Sequence, residues 1–293
     1  ASAPLFRMSS GIGWRAGNWE NGRMLIVAAT PIGNLGDHTP RLLEVLRDAA
    51  MVVSEDTRTT KKLLGALESQ SHAEFVPLHE HNEREVLDRV LDRAATSNVV
   101  LVSDAGMPGI SDPGFALVRA AHERGIRVSP LPGPSAVTAA LAASGLPTDR
   151  FCFEGFLPKK GKREALEVLG AESRTMVFFE SPHRLLDTLE VMAQVWGSDR
   201  QASVCREMSK MYEEVRTDSL ANLIDHYCEG TKGEITLVVA GSRGPSETLE
   251  QAVARAQALV NSGVRAVDAA RDVARESGYS KREIYSALLL SGA

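Results

Sequence analysis

Asn98-Val-Val-Leu-Val-Ser-Asp-Ala-Gly-Met-Pro-Gly-Ile-Ser-Asp-Pro-Gly114 reads as a short, wholly apolar run that breaks without transition into a loop of glycines and prolines. Such a run, bounded by turn residues, marks a strand, and ligands of α/β proteins usually bind at the edge where such strands end. The loop holds Gly106, Gly109 and Gly114, which let backbone approach a ligand closely. Asp104 and Ser111 offer polar partners for a ribose or an amino-acid group. Its last four residues also read as a capped helix start, with Ser111 or Asp112 as N-cap and Pro113 in the first turn. Both readings can hold together.

Outward from this stretch, strands are expected at 24–29, 50–54, 75–78, 98–103 and 126–130. Helices are expected at 39–49, 58–67, 82–96 and 113–124, so the first half is an α/β layer domain. Thr30-Pro-Ile-Gly-Asn-Leu-Gly-Asp37 forms a second strand-to-helix turn. Its spacing matches neither GxGxxG nor GxxxxGK[ST], which argues against a nicotinamide dinucleotide or a nucleoside triphosphate; a plain structural turn and a ligand-facing one stay equally open. Pro132-Gly-Pro-Ser-Ala136 leads into a small-residue helix ending at Ser144, and a domain border is expected near 147.

The second half restarts at 151–153, with strands near 175–179, 202–206 and 234–240 and helices at 183–195 and 219–229. Phe178-Phe-Glu-Ser-Pro-His-Arg184 bunches polar groups at the end of one strand, and Gly233 to Gly241 reads as a buried strand with glycine ends. Beyond Gly241 the pattern turns purely helical, at 247–262, 264–277 and 280–290, with Gly278 in a turn and Ser280 as N-cap, like a helix-turn-helix. The expected organisation is an extension at 1–23, domains at 24–147 and 148–243, and a helical tail at 244–293.

The 293 residues are 43% hydrophobic, enough to bury a core in each domain. No apolar run approaches the roughly 18 to 20 residues that cross a bilayer. Residues 1–23 lack the apolar stretch of a secretion signal and read as a flexible extension. Cys152, Cys205 and Cys228 are odd in number and far apart, which argues against a disulfide framework or a zinc site and fits a reducing cytoplasm. A net charge of −5 excludes a generally basic nucleic-acid grip. Any RNA contact must be local, at Arg58, Lys61 and Lys62, or at Lys159, Lys160, Lys162 and Arg163. Either cluster also reads simply as a solvated face.

Seven runs, in order, carry a family resemblance: ATPIGNLGD, SEDTRTTKKLL, SDAGMPGISDPG, PLPGPSA, FEGFLPKKGKR, FFESPHR and GEITLVVAG. Together they resemble the tetrapyrrole methylase superfamily, in its branch acting on small-subunit ribosomal RNA, over about residues 24 to 293. Met107 stands where relatives usually have Thr or a similar small residue. The resemblance implies two α/β domains with S-adenosyl-L-methionine in the cleft between them, a helical tail and a homodimer. It implies 2′-O-methylation of a cytidine in the decoding region of 16S rRNA within the small ribosomal subunit. Carried over by position, Pro31, Asp104, Ala105, Gly106, Pro108, Ile110, Ser111, Ser135 and Ala136 would contact the cofactor, with Glu180 and Gly233 as contacts from the second domain.

No metal is required, because the methyl group of that cofactor is already activated. A 2′-hydroxyl is a weak acid, so a general base would help by roughly 10²- to 10⁴-fold. Glu55, Asp56, His79, His81, Glu180 and His183 stand at strand ends, and Glu55 and Glu180 are preferred. The basic loop FLPKKGKR is the first choice for phosphates and Arg58, Lys61 and Lys62 the second. Rival readings are methylation of a tetrapyrrole or a protein side chain by the same fold, and a ribosome-binding protein without catalysis.

Overall fold

The computed structural model describes residues 23–79, 82–242 and 248–291. The extension before Arg23 and the candidate base His81 lie outside them. The chain divides into two compact units. The first comprises residues up to Pro31 together with Leu35–Gly133; the second comprises Ile32–Asn34 and everything from Pro134 onward.

In the first unit β1 (Met24–Ala28), β2 (Met51–Ser54), β3 (Glu74–Pro77), β4 (Asn98–Val102) and β5 (Arg127–Leu131) form an all-parallel sheet in the order β3-β2-β4-β1-β5. The order explains the sequence pattern. β1, β2 and β4 are interior strands and almost wholly apolar, with Ser54 and Asn98 only at strand ends, while β5 is an edge and can carry Pro130, which has no N–H to give to a neighbour. The connecting helices are α1 (Pro40–Asp48), α2 (Thr57–Ala66), α3 (Glu83–Ala94) and α4 (Phe115–Glu123). Thr39 caps α1 by accepting from the Leu42 amide, with Pro40 at the first helical position, and Asp56 caps α2 by accepting from the Arg58 amide. Leu42, Val45 and Leu46 of α1 press on one face of the sheet; Val90, Leu91, Leu117 and Ala121 from α3 and α4 press on the other.

α4 starts later than expected. Its N-cap is Gly114 at φ 128°, so Ser111, Asp112 and Pro113 remain in the loop. Ser111 itself is left-handed at φ 62°, which removes it from a capping role.

The second unit opens with α5 (Ala136–Ser144), followed by β6 (Phe151–Phe156), α6 (Lys162–Val168), β7 (Thr175–Glu180), α7 (Leu185–Trp196), β8 (Gln201–Arg206), β9 (Glu214–Ser219), α8 (Leu220–His226) and β10 (Ile235–Val239). The sheet order is β6-β7-β10-β8-β9; only β6 and β7 run parallel. The structural border falls at Gly133/Pro134 rather than near 147. The reason is that Val137, Ala140 and Leu141 of α5 bury themselves against Val177, Cys205 and Val238 of this second sheet. Residues from Lys162 onward form α6, entered through Gly161 at φ 78°, instead of prolonging the basic loop.

The tail is three helices, α9 (Leu249–Asn261), α10 (Ala266–Ser277) and α11 (Lys281–Ser291), around a small core of Ala252, Ala256, Ala270, Val273, Ile284 and Leu288. Gly278 closes α10 at φ 82°. Ser280 caps α11 as expected, and Glu283 makes the cap reciprocal: the Glu283 amide donates to the Ser280 hydroxyl at 3.2 Å, and the Ser280 amide to the Glu283 carboxylate at 2.7 Å. No described helix is long and apolar enough to cross a membrane.

Candidate functional site

The carboxyl ends of β1, β2 and β4 meet at one rim of the first sheet, the edge where open α/β sheets bind ligands. Two motifs that are far apart in sequence are tied together there. Thr30 and Gly106 exchange backbone hydrogen bonds, at 2.9 Å into the Gly106 carbonyl and 3.1 Å into the Thr30 carbonyl, and the Thr30 hydroxyl donates to the Ser103 carbonyl. Pro31 therefore lies beside the glycine-rich loop. Gly133 completes the rim: a Cβ there would stand 2.9 Å from the Ala29 side chain, so only glycine permits this approach.

Along the loop Gly106 and Pro108 are buried while Asp104, Ala105, Ile110 and Ser111 face outward. Gly106 and Gly109 sit at φ 79° and 77°, a conformation glycine adopts without strain. Asp104 accepts a hydrogen bond from the Asp56 amide at 3.2 Å, joining the end of β4 to the start of α2. Asp112 is half-buried, and its carboxyl is pushed up to about 6. Burial is the largest cause, followed by the negative charge of Glu55; a hydrogen bond from Ser103 opposes them and Asp104 adds to them. The rim thus gathers Glu55, Asp104 and Asp112 into a zone of negative potential. Beside it the Ser54 hydroxyl, at the end of β2, is buried without a protein partner. Asp112 escaped the sequence reading because its last-turn position suggested a cap; only burial and its acidic neighbours single it out.

In the second unit Glu180 ends β7 with its side chain 1% exposed. One oxygen accepts the Ser181 amide at 2.8 Å and the other the Thr188 hydroxyl at 2.5 Å, and Arg184 stands 3.7 Å away. Both oxygens are engaged, which gives Glu180 a bracing role; of the two candidates Glu55 is the solvent-exposed one. Lys162 belongs to the same network. Its ammonium donates to Asp187 at 2.5 Å and to Thr188 at 2.6 Å, with only 10% of the side chain exposed. It is therefore removed from the phosphate-contact set. Arg163 is shared between Gln194 and Glu167, Arg58 pairs with Asp56, and Lys61 lies over the Phe75 ring at 5.0 Å. Lys62, Lys159 and Lys160 are exposed and have no ion pair among the described residues.

Ser135 is the N-cap of α5, yet its hydroxyl makes no capping bond, and Ala136 is the first helical residue. Gly233, at φ 94°, lies against Glu207, whose carbons would be 2.4 Å from a Cβ at that position. Glu207 accepts the Glu234 amide at 2.8 Å and the Lys210 ammonium at 2.9 Å, which holds its carboxyl below the usual range. Lys210 also reaches Glu234, and its alkyl chain covers Gly33. Glycine is thus required at 233 for packing, whatever else it contacts. Among the described residues no group of three or more His, Cys, Asp or Glu side chains is arranged to hold a metal ion.

Two α/β units, the first with a glycine-rich loop and an acidic rim at the carboxyl edge of a parallel sheet, define the class. Residues 24–224 match the family described as Tetrapyrrole (Corrin/Porphyrin) Methylases, and the chain belongs to that methyltransferase family. Solved structures agree at the level of fold. A diphthine synthase superposes with a TM-score of 0.58 at 19% identity, covering 74% of this chain and 89% of its own. A cobalt precorrin-4 methyltransferase gives 0.55 at 18%, covering 74% and 94%.

More particularly, the chain is similar to proteins named ribosomal RNA small subunit methyltransferase I. It is 43% identical to that of Escherichia coli O157:H7 over 89% of this chain and 93% of the relative. It is 44% identical to that of Mycobacterium bovis over 93% and 96%. It is 49% identical to that of Pseudomonas aeruginosa over 75% and 80%.

Proposed function

We propose that this protein is an S-adenosyl-L-methionine-dependent methyltransferase that modifies the 2′-oxygen of a cytidine in 16S rRNA, with the small ribosomal subunit as its substrate. The observation that carries the reading is similarity to rRNA small subunit methyltransferases I across 93% of the chain. A tetrapyrrole acceptor is less well supported, because the relatives with that chemistry are below 25% identical and share the fold alone.

The rim residues fit such a cofactor by the chemistry of the donor set. A sulfonium and an ammonium are cations, and Glu55, Asp104 and Asp112 supply the complementary charge. Asp104 and Ser111 offer acceptors for hydroxyls, and exposed Ile110 offers an apolar contact. Pro31, Ala105, Gly106 and Pro108 shape the backbone beside them. The cofactor brings a methyl group already activated by its sulfonium.

The protein must then hold the acceptor ribose in line and take the hydroxyl proton. Positioning is worth roughly 7 to 11 kcal/mol in well-oriented cases. Glu55, exposed at the end of β2 and electrostatically coupled to Asp112, is the proton acceptor in this reading. Lys159 and Lys160, with Lys62, Lys61 and Arg58 as a second group, meet phosphates.

The test is transfer of labelled methyl from S-adenosyl-L-methionine to small subunits that lack the modification, followed by mapping of 2′-O-methylation. One labelled cytidine in the decoding region is expected. Cofactor binding without label in RNA would overturn the RNA assignment. Glu55→Gln is expected to slow single-turnover transfer roughly 10²-fold or more; an unchanged rate removes Glu55.

A further inference from the structure

β6 carries Phe151, Phe153 and Phe156. In an unbroken strand Phe156 would point to the face opposite Phe153, because successive side chains alternate. The strand is broken by a bulge. Phe153 stands opposite Val177, Gly155 opposite Phe178 and Phe156 opposite Phe179, with Glu154 left over. Directly opposed residues share a face, and so do 177 and 179. The extra residue therefore turns Phe156 onto the side of Phe153 and Phe179. Gly155 at φ 66° accommodates the turn.

The ring geometry agrees. Phe153 and Phe179 pack edge-on with centroids 4.9 Å apart, and Phe156 and Phe179 are tilted at 5.5 Å. At its inner end this aromatic row packs against the cluster that α5 covers. At its outer end it reaches solvent, where Phe156 is 57% exposed.

The exposed ring rides on braced chain. Leu157 is buried next to it, and Arg184 donates to the carbonyls of Leu157 at 3.0 Å and Pro158 at 3.2 Å. Arg184 is itself held near Glu180. Immediately beyond come Lys159 and Lys160, exposed and without an ion pair among the described residues, whereas the neighbouring Lys162 and Arg163 are committed to protein partners. A rigid, exposed aromatic face followed within four residues by two available cations is the combination that holds single-stranded nucleic acid, base on ring and phosphate on ammonium.

We propose that Phe156 is a stacking platform for one unpaired nucleobase of the substrate RNA, with Lys159 and Lys160 on the adjoining phosphates. The proposal rests on the RNA-methylating reading above and adds to it the residue that grips a base.

The experiment measures single-turnover methyl transfer at rising concentrations of unmodified small subunits, for the wild-type chain, Phe156→Leu and Phe156→Trp. Cofactor affinity and sedimentation are measured alongside. Phe156→Leu keeps apolar bulk but loses the aromatic face. It is expected to raise the half-saturating subunit concentration roughly 5- to 100-fold, the loss of about one base–aromatic stack. Phe156→Trp should stay near wild type, with cofactor affinity unchanged in both.

Wild-type behaviour in Phe156→Leu overturns the platform and leaves the methylation reading standing. Equal loss in Phe156→Trp overturns it in favour of a phenylalanine-shaped protein contact, and a changed oligomeric state overturns it in favour of a second copy. A wild-type chain that leaves RNA unlabelled removes the reading and the platform together.

Discussion

Asp112 and Glu180 show how the same carboxyl group is put to two uses by its surroundings. Asp112 has a folded-state value near 6 against an ordinary 3.8, because burial and two negative neighbours disfavour its charged form. The folded protein therefore binds this proton more tightly than the unfolded chain. Its contribution to stability falls as pH rises from about 4 to 6 and stays unfavourable above. Asp112→Asn should accordingly raise the thermal midpoint of the cofactor-free protein at pH 8, with the gain shrinking as pH is lowered from 6 toward 4. A gain that does not vary with pH would contradict this origin. Glu180 is buried too, but its oxygens accept from Ser181 and Thr188 beside two cations. Glu180→Gln replaces an acceptor by a donor and leaves Lys162 and Arg184 less compensated. Denaturant unfolding should register a loss of about 2 to 4 kcal/mol.

At the scale of elements, the segments that sequence reading found share one property: their pattern is set by burial. β1, β2, β4 and β10 are interior strands and read as apolar runs. β9 was not expected, because Glu-Val-Arg-Thr-Asp-Ser is an edge strand with one polar face and resembles a loop. α6 was hidden by the lysines and glycine before it. Turns carry their own energetic signature. Gly114 enters α4 at φ 128°, and a Cβ there would lie 2.8 Å from the Leu101 side chain. Gly114→Ala should cost about 2 to 4 kcal/mol in equilibrium unfolding, combining backbone strain with overpacking. In the tail, Ser280→Ala removes one arm of the cap on α11 and should cost about 1 kcal/mol, seen as faster amide exchange in that helix.

For the molecule as a whole, a net charge of −5 means that RNA must be held by few cations against an unfavourable background. Three of the seven candidate basic residues are paired with protein carboxylates: Arg58 with Asp56, Lys162 with Asp187, Arg163 with Glu167. Binding to small subunits should therefore weaken only modestly with salt. Substituting Lys159 and Lys160 together by Gln should flatten the plot of log affinity against log salt by roughly one for each lysine. An unchanged slope would place the phosphate contacts elsewhere, with Lys62 the next residue to test.

The sequence by itself determined the α/β alternation, the two sheets, the glycine-bearing turns after β1 and β4 and the three-helix tail, because each follows from local periodicity and from residues with special backbone freedom. It also carried the ordered motifs by which the family is identified. Only the tertiary structure decided that α5 belongs to the second unit, that Thr30 bonds to Gly106 and that Asp112 is a perturbed acid. Tertiary structure likewise showed that Lys162 and Glu180 brace one another through Thr188, and that a single extra residue in β6 brings Phe156 onto the face of Phe153 and Phe179, close in sequence to two lysines. These depend on which side chains from distant positions meet and on how much water they lose in meeting, and neither quantity is written in the order of residues along the chain.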